Sequence, residues 1–411
     1  MFANVNQQTS VMKLTLGKPA RGDKYFNRPK IRAEILEHLD GGANILLTAP
    51  RRVGKTTIIM DIFDNPPSDY LVVYINTEKY DTTQDFFRKL LNELTDSDLL
   101  EKYNGFGSKI LGTLKDAGKR VKGFNIGPIG LDINETKDLP IDYADEFTKL
   151  IDDIKLDGKK IIALIDEFPV TVENIYNKYK PNDENLAREK VKRFLQTNRD
   201  IRQHPKLGEK IQFVYTGSIG LMNVVGKINC SEDINDLVVV KIPALTFEES
   251  ADFLQMILNH YSISINEKIV EYALEKTEWL MPFYIQSVAR EVRDLHRESP
   301  QEITIAFIDK AFENLIDNVH IYLDHFRSRL NKVFKKEELQ FCESLLDFIA
   351  NEGKINRHQL PEFAAKFNIQ NYSYLINTLK YDGYIDNSID DDIYRFNSPI
   401  FKKWWLKHGN K

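Results

Sequence analysis

The loop Ala49-Pro50-Arg51-Arg52-Val53-Gly54-Lys55-Thr56-Thr57 carries the residue types that cradle phosphate. It follows the apolar run Asn44-Ile45-Leu46-Leu47 and precedes Ile58-Ile59-Met60, so it lies between a buried strand and the start of a helix. Small residues let successive backbone N–H groups turn toward phosphate oxygens, and the helix N-terminus adds a partial positive charge. Lys55 is placed to reach the β/γ-phosphates of a nucleoside triphosphate, and Thr56 to offer its hydroxyl to Mg²⁺. Ala49, followed by Pro50, stands where such loops usually begin with glycine, and alanine is small enough to keep the turn.

A second apolar run, Ile161-Ile162-Ala163-Leu164-Ile165, ends in Asp166-Glu167. Successive residues leaving a strand point in different directions, so Asp166 can face a metal ion while Glu167 faces the water that attacks the γ-phosphate. The plainer reading is a carboxylate pair that closes the loop. At the end of Phe213-Val214-Tyr215, Thr216 or Ser218 is placed to hydrogen-bond the γ-phosphate or that water, or else belongs to an ordinary strand-end turn. Arg51 and Arg52 read as phosphate-neutralising groups, as contacts to a neighbouring subunit, or as solvated charges. Arg199 and Arg202, which close a helix before the fourth strand, are candidates for an arginine finger acting in trans.

Five apolar runs must position these residues: Asn44–Thr48, Tyr70–Asn76, Lys160–Asp166, Lys210–Thr216 and Leu237–Ile242. Helical patterns such as Gln84–Leu94, Ala144–Ile154 and Glu184–Arg202 separate them, which predicts an α/β fold with a parallel sheet covered on both faces. Residues of about 95–140 read as an insertion on this nucleotide domain, with a hairpin pattern at Gly123–Ile133. The P-loop domain is expected over 1–245. From 246 to 334 the pattern is helical, opening on the capping box Thr246-Phe247-Glu248-Glu249, and reads as a lid. From 335 to 411, helices at Glu337–Asn351, Arg357–Phe367 and Tyr372–Asp382 precede short β-prone runs at Tyr384-Ile385 and Ile393–Phe396, the pattern of a winged helix. Trp404 and Trp405 are expected to pack back onto that module.

Composition bounds the rest. With 56 Lys+Arg against 61 Asp+Glu, the net charge of −5 is mild for 411 residues and demands neither a nucleic-acid nor a membrane partner. Cys230 and Cys342 are far apart and lack metal-ligand spacing, which suggests a reducing compartment. The segment Met1–Gln8 has no secretory pattern and no uncharged stretch reaches membrane-spanning length, so a cytoplasmic protein without membrane contact is expected.

With these motifs in place, the chain resembles the archaeal-type ATPase family of the STAND and AAA+-related P-loop NTPases. The resemblance rests on Phe26-Asn27-Arg28, the Arg51–Thr56 loop, Asp166-Glu167-Phe168-Pro169 and Tyr215-Thr216-Gly217-Ser218. It implies a P-loop NTPase sheet of the additional-strand (ASCE) type, with a further strand between the loop-bearing and acid-bearing strands. It implies ATP with Mg²⁺ as the ligand, Phe26 and Arg28 near adenine, and a lid proline on the nucleotide, here Pro282, in Trp279-Leu280-Met281-Pro282 where relatives carry Gly-x-Pro. Arg290 and Arg293 follow on the next helix as reporters of phosphate state. The family implies a nucleotide-dependent switch, often coupled to DNA transactions, with the winged helix as a DNA or protein contact; ATP is expected to move the lid and winged helix, and a homo-oligomer is left open. The alternatives are a DNA-binding initiator or regulator with slow secondary ATPase activity, or a nucleotide-gated scaffold for a partner protein.

The residues favour a protein partner at the winged helix. Its recognition helix, Asn371–Lys380, has one basic residue, and the wing carries Asp386, Asp390, Asp391 and Asp392, which oppose duplex phosphates. DNA contact through Lys109, Lys115, Lys119, Arg120 and Lys122 of the insertion is the other option, set against a solvated surface.

Overall fold

The computed structural model describes residues 12–96, 112–113, 115, 142–217, 220–318, 320–334, 336–387 and 390–409. Nearly all of the expected insertion, including Gly123–Ile133 and the basic residues other than Lys115, lies outside them, as do Met1–Gln8 and Ser218. Among the described residues no helix is long and apolar enough to cross a membrane.

The chain divides into two compact units. One comprises Arg28–Thr48 and Ile58–Lys241; the other comprises the segment up to Asn27, Ala49–Thr57, and the chain from Ile242 onward.

The first unit is built on a parallel sheet. Its strands are β1 (Ile45–Thr48), β2 (Tyr70–Asn76), β3 (Lys160–Asp166), β4 (Ile211–Tyr215) and β5 (Val238–Lys241), in the order β2-β3-β4-β1-β5. Thus β4 lies between β1, which runs into the phosphate loop, and β3, which ends in Asp166, as the additional-strand expectation requires. Residues Ile161 to Ile165 are fully buried, because helices cover both faces and a central strand can then be continuously apolar. Pairing of Leu46 with Tyr215 and of Ile165 with Tyr215 brings the three strand ends to one edge.

The helices of this unit include α1 (Pro29–Asp40), α2 (Lys55–Asp64, whose first residues belong to the phosphate loop), α3 (Thr83–Leu94), α4 (Tyr143–Asp153), α5 (Phe168–Tyr179), α6 (Glu184–Gln203) and α7 (Leu221–Lys227). Side chains fix several starts: Thr82, Asp142 and Asp183 each accept a hydrogen bond from a backbone N–H in the first turn they precede. Phe86, Phe168 and Phe194 pack with ring centroids 5.2–5.8 Å apart, joining α3, α5 and α6.

The second unit continues with α8 (Phe247–His260), α9 (Glu267–Thr277), α10 (Pro282–Glu298), α11 (Ile305–Asn318) and α12 (His320–Val333). The capping box forms as expected: Thr246 Oγ1 accepts from Glu249 N at 3.1 Å, and Glu249 Oε2 accepts from Thr246 N at 2.9 Å. Then come α13 (Glu337–Glu352), β6 (Ile355–Asn356), α14 (Leu360–Ala365), α15 (Ser373–Tyr381), β7 (Ile385–Asp386), β8 (Ile393–Phe396) and α16 (Pro399–His408). The strands form an antiparallel sheet in the order β6-β8-β7. Beyond the expected hairpin, this adds a strand from Ile355-Asn356, too short for a periodicity signal. Trp404 and Trp405 are buried in α16, and Trp405 Nε1 donates to Asp347 Oδ1 at 2.8 Å.

Arg202, a candidate finger in the sequence, points into the first unit's own core. Its side chain is 1% exposed and binds both oxygens of Asp236 at 2.7 and 2.8 Å, the Tyr215 hydroxyl at 3.3 Å and Asp233 O at 3.2 Å. Burial opposes the guanidinium charge, but the facing Tyr215 and Asp236 more than offset it and hold its pKa above the usual arginine range. Arg199 is tied by Nη1 to Glu232 O at 2.6 Å. Arg202→Ala would leave Asp236 without its partner, and a loss of about 3–5 kcal/mol in urea unfolding is expected. A stable Arg202→Ala protein whose turnover recovered on mixing with wild-type subunits would show a trans role instead.

Candidate functional site

Asp166 ends β3, is 3% exposed, and has its carboxylate held on two sides. Oδ1 accepts from the Glu167 backbone N–H at 3.1 Å, and Oδ2 accepts from the Tyr74 hydroxyl at 3.2 Å. Burial and then the nearby Asp166 charge raise the Tyr74 phenol well above its usual value, so at neutral pH it stays a donor. The Asp166 carbonyl accepts from both the backbone N–H and the hydroxyl of Thr77, each at 2.9 Å. No sequence signal marked Tyr74 or Thr77; the register of β2 against β3, with Asn76 opposite Asp166, brings them there.

Glu167 leaves the strand in the left-handed conformation, with φ 60°, and caps α5 without a side-chain bond to it. A positive φ at a residue with a side chain is costly and is kept where the surroundings over-determine it. Two bonds do so here: Thr216 N donates to Ile165 O at 2.9 Å, and Phe168 N donates to Thr216 O at 3.1 Å. The turn after β3 and the end of β4 are thereby stitched together. Gly217 completes the packing, since a Cβ there would lie 2.5 Å from Pro169 Cδ and 3.6 Å from Glu167 Oε2. Only glycine leaves room for the α5 proline and keeps the glutamate beside the β4 exit.

Thr216 is fully buried, and its Oγ1 has no hydrogen-bond partner among the described residues. A buried hydroxyl without a partner is expensive, which makes Thr216 the most pointed indicator of a ligand at this edge. Asp166, Glu167, Thr216 and Gly217 therefore lie together where β3 and β4 end.

In the other unit, the phosphate loop takes the conformation its glycine permits: Gly54 has φ +100°, and Arg52 before it has φ 71°. Lys55 opens α2 and folds its ammonium back, donating to Ala49 O at 2.7 Å and Pro50 O at 3.1 Å. Ala49 and Val53 are buried, so the small residue at the head of the loop sits in a tight place. Thr57 Oγ1 accepts from Ala20 N at 3.3 Å, tying the N-terminal segment to the loop. Thr56 is the second residue of α2.

The Arg52 guanidinium lies 4.8 Å above the Phe283 ring, and Arg51 faces Asp382. Pro282 is the first residue of α10, where it needs no N–H partner. Phe26 packs on Phe253 of α8 with ring centroids 5.0 Å apart. Arg28, in the first unit, is buried and precedes α1. Arg290 pairs with Glu291 and Arg293 with Asp294, both on α10.

No group of three or more His, Cys, Asp or Glu side chains that could hold a metal ion occurs among the described residues.

No protein-family model matches the chain, and no curated protein matches it. Solved structures do. The Walker-type ATPase PABY2304 of Pyrococcus abyssi aligns over 96% of this chain and 99% of its own, with TM-score 0.60 and 15% identity. The ORC2 protein of Aeropyrum pernix in its ADPNP-ADP complexes covers 92% of this chain and 91% of its own, with TM-score 0.48 and 12% identity. The RuvB Holliday junction branch migration motor of Thermotoga maritima covers 90% and 92%, with TM-score 0.44 and 12% identity. At 15% identity the first of these speaks to architecture: the chain shares the fold of that Walker-type ATPase, and its strand order is that of a P-loop sheet with an additional strand.

Proposed function

We propose that this protein binds ATP with Mg²⁺, hydrolyses it, and uses the nucleotide state to set the position of its helical lid and C-terminal winged helix. The observation that carries the reading is the Asp166-Glu167 pair fixed beside the unpartnered Thr216 hydroxyl, at the sheet edge from which β1 runs into the Gly54-Lys55-Thr56 loop. The Walker-type ATPase that this chain resembles in fold supports it.

Each residue has a separate task. Backbone N–H groups of the Ala49–Thr57 loop, Pro50 having none, hold the phosphates, and Lys55 exchanges its two loop carbonyls for β/γ-phosphate oxygens. Thr56 and Asp166 would hold Mg²⁺, which supplies charge neutralisation between the phosphates. Glu167 accepts the proton of the attacking water, and the strained turn keeps its carboxylate at the β4 exit. The Thr216 hydroxyl donates to the γ-phosphate or positions that water. Phe26 and Arg28 lie on the adenine side and Pro282 carries the lid contact. The domains follow as 1–245, 246–334 and 335–411, in a cytoplasmic protein that can form homo-oligomers.

The winged helix serves a protein partner in this reading. Asp390, Asp391 and Asp392 are exposed on its wing, where they would meet duplex phosphates with like charge.

Three outcomes follow. In isothermal titration and phosphate-release assays, Lys55→Ala loses ATP binding, while Glu167→Gln retains it and loses at least ~100-fold in turnover. Equal turnover in Glu167→Gln and wild type would remove Glu167 from the reaction. Thr216→Val, which keeps the shape and deletes the hydroxyl, should lower turnover by about 10–100-fold with ATP affinity little changed. Fluorescence anisotropy with duplex DNA at about 0.15 M salt should show no binding tighter than the non-specific range of roughly 10⁻⁴–10⁻⁶ M. Tight, steeply salt-dependent binding would favour the DNA-binding initiator.

A further inference from the structure

The end of α15 lies against the phosphate loop, inside the same compact unit. The contact is made by Tyr381, Asp382 and Gly383. The Tyr381 ring centroid is 5.8 Å from Lys55 Nζ. Asp382, 2% exposed, places Oδ1 4.0 Å from Arg51 Nε and Oδ2 3.2 Å from Arg329 Nε. Gly383 turns the chain at φ +86°, and a Cβ there would meet Trp279 Cη2 at 3.2 Å and Pro50 Cβ at 3.8 Å. A side chain there would be strained by the positive φ and would crowd the Trp279 ring.

The two cations that this segment meets both belong to the phosphate loop. Arg51 lies inside the loop, and Lys55 is its phosphate-binding lysine. In the conformation seen here, a buried carboxylate faces the first, while an aromatic face and two loop carbonyls occupy the second. A carboxylate is the nearest protein mimic of a phosphate oxygen pair, and guanidinium groups bind both with the same geometry.

We propose that Tyr381-Asp382-Gly383 is a phosphate-mimicking cap: Asp382 holds Arg51 in place of a nucleotide phosphate, so that ATP binding and seating of the C-terminal module compete for the same cations. This rests on the ATP reading above and specifies its coupling. Phosphate takes Arg51 and Lys55, Asp382 is left with Arg329 alone, and the module's hold on the loop weakens. By linkage, the seated module lowers ATP affinity by the same factor by which ATP disfavours seating.

The test uses the full chain and two variants, Asp382→Asn, which removes the anion but keeps the shape, and Tyr381→Leu, which removes the ring. Acetylation of Lys55 by sulfo-NHS-acetate, read by mass spectrometry without nucleotide, reports the cap. Calorimetric ATP affinity with Mg²⁺ reports the competition. Both variants should acetylate Lys55 several-fold faster and bind ATP roughly 5-fold to 150-fold more tightly. Folded variants, checked by melting temperature, that label and bind as wild type does would overturn the cap. Should ATP bind neither wild type nor variants, the ATPase reading fails, while faster Lys55 acetylation in the variants would still support a cap over the loop. Unchanged ATP affinity in both variants of a protein that does bind ATP would sink the competition and leave the ATPase reading intact.

Discussion

Two backbone hydrogen bonds fix the chemistry-bearing edge of the sheet: Thr216 N to Ile165 O, and Phe168 N to Thr216 O. They join the end of β4 to the turn after β3, and everything placed there depends on that stitch. It forces Glu167 into a left-handed conformation, starts α5 immediately afterward, and requires glycine at 217 to admit Pro169. Local strain of about 1–3 kcal/mol at Glu167 is sustained because the sheet, the helix start and the glycine all define the same geometry. The consequence is a carboxylate pair with separate surroundings. Asp166 is gripped by Tyr74 and the backbone, whereas Glu167 stands at the helix start without a side-chain capping bond.

A second constraint acts behind that edge. Arg202 ties α6 to Tyr215, the residue before Thr216, and to Asp236, just ahead of β5. A buried arginine with a bidentate carboxylate adds little net stability over apolar packing, but it is unforgiving of misplacement. Its contribution is therefore to register, holding the last residue of β4 in place behind the unpartnered Thr216 hydroxyl.

Much of this was legible in the sequence because it rests on residue patterns. The five apolar runs are the five strands, displaced by no more than a residue at their ends, and the Thr246 capping box forms as written. Spacing identified Lys55, Asp166 and Glu167 as residues that could act on a triphosphate. What stayed hidden depends on partners distant in sequence. Tyr74 and Thr77 meet Asp166 through strand register, and Arg202 finds Asp236 after two intervening elements. Helix α5 begins with Phe168-Pro169 directly after the acid pair and has no side-chain cap to announce its start. The role of Gly217 appears only once Pro169 is packed beside it. The Asp382 contact with Arg51 joins positions more than 300 residues apart, with only the fold to connect them.

The central claim is that the phosphate loop and the acid pair together hydrolyse ATP. The measurement that tests it most directly is phosphate release by the wild-type full chain with ATP, with and without excess chelator, alongside calorimetric ATP binding on the same preparation. The account predicts saturable binding and Mg²⁺-dependent release that stops when the chelator is added. Absence of ATP binding under conditions where the chain is folded would contradict it.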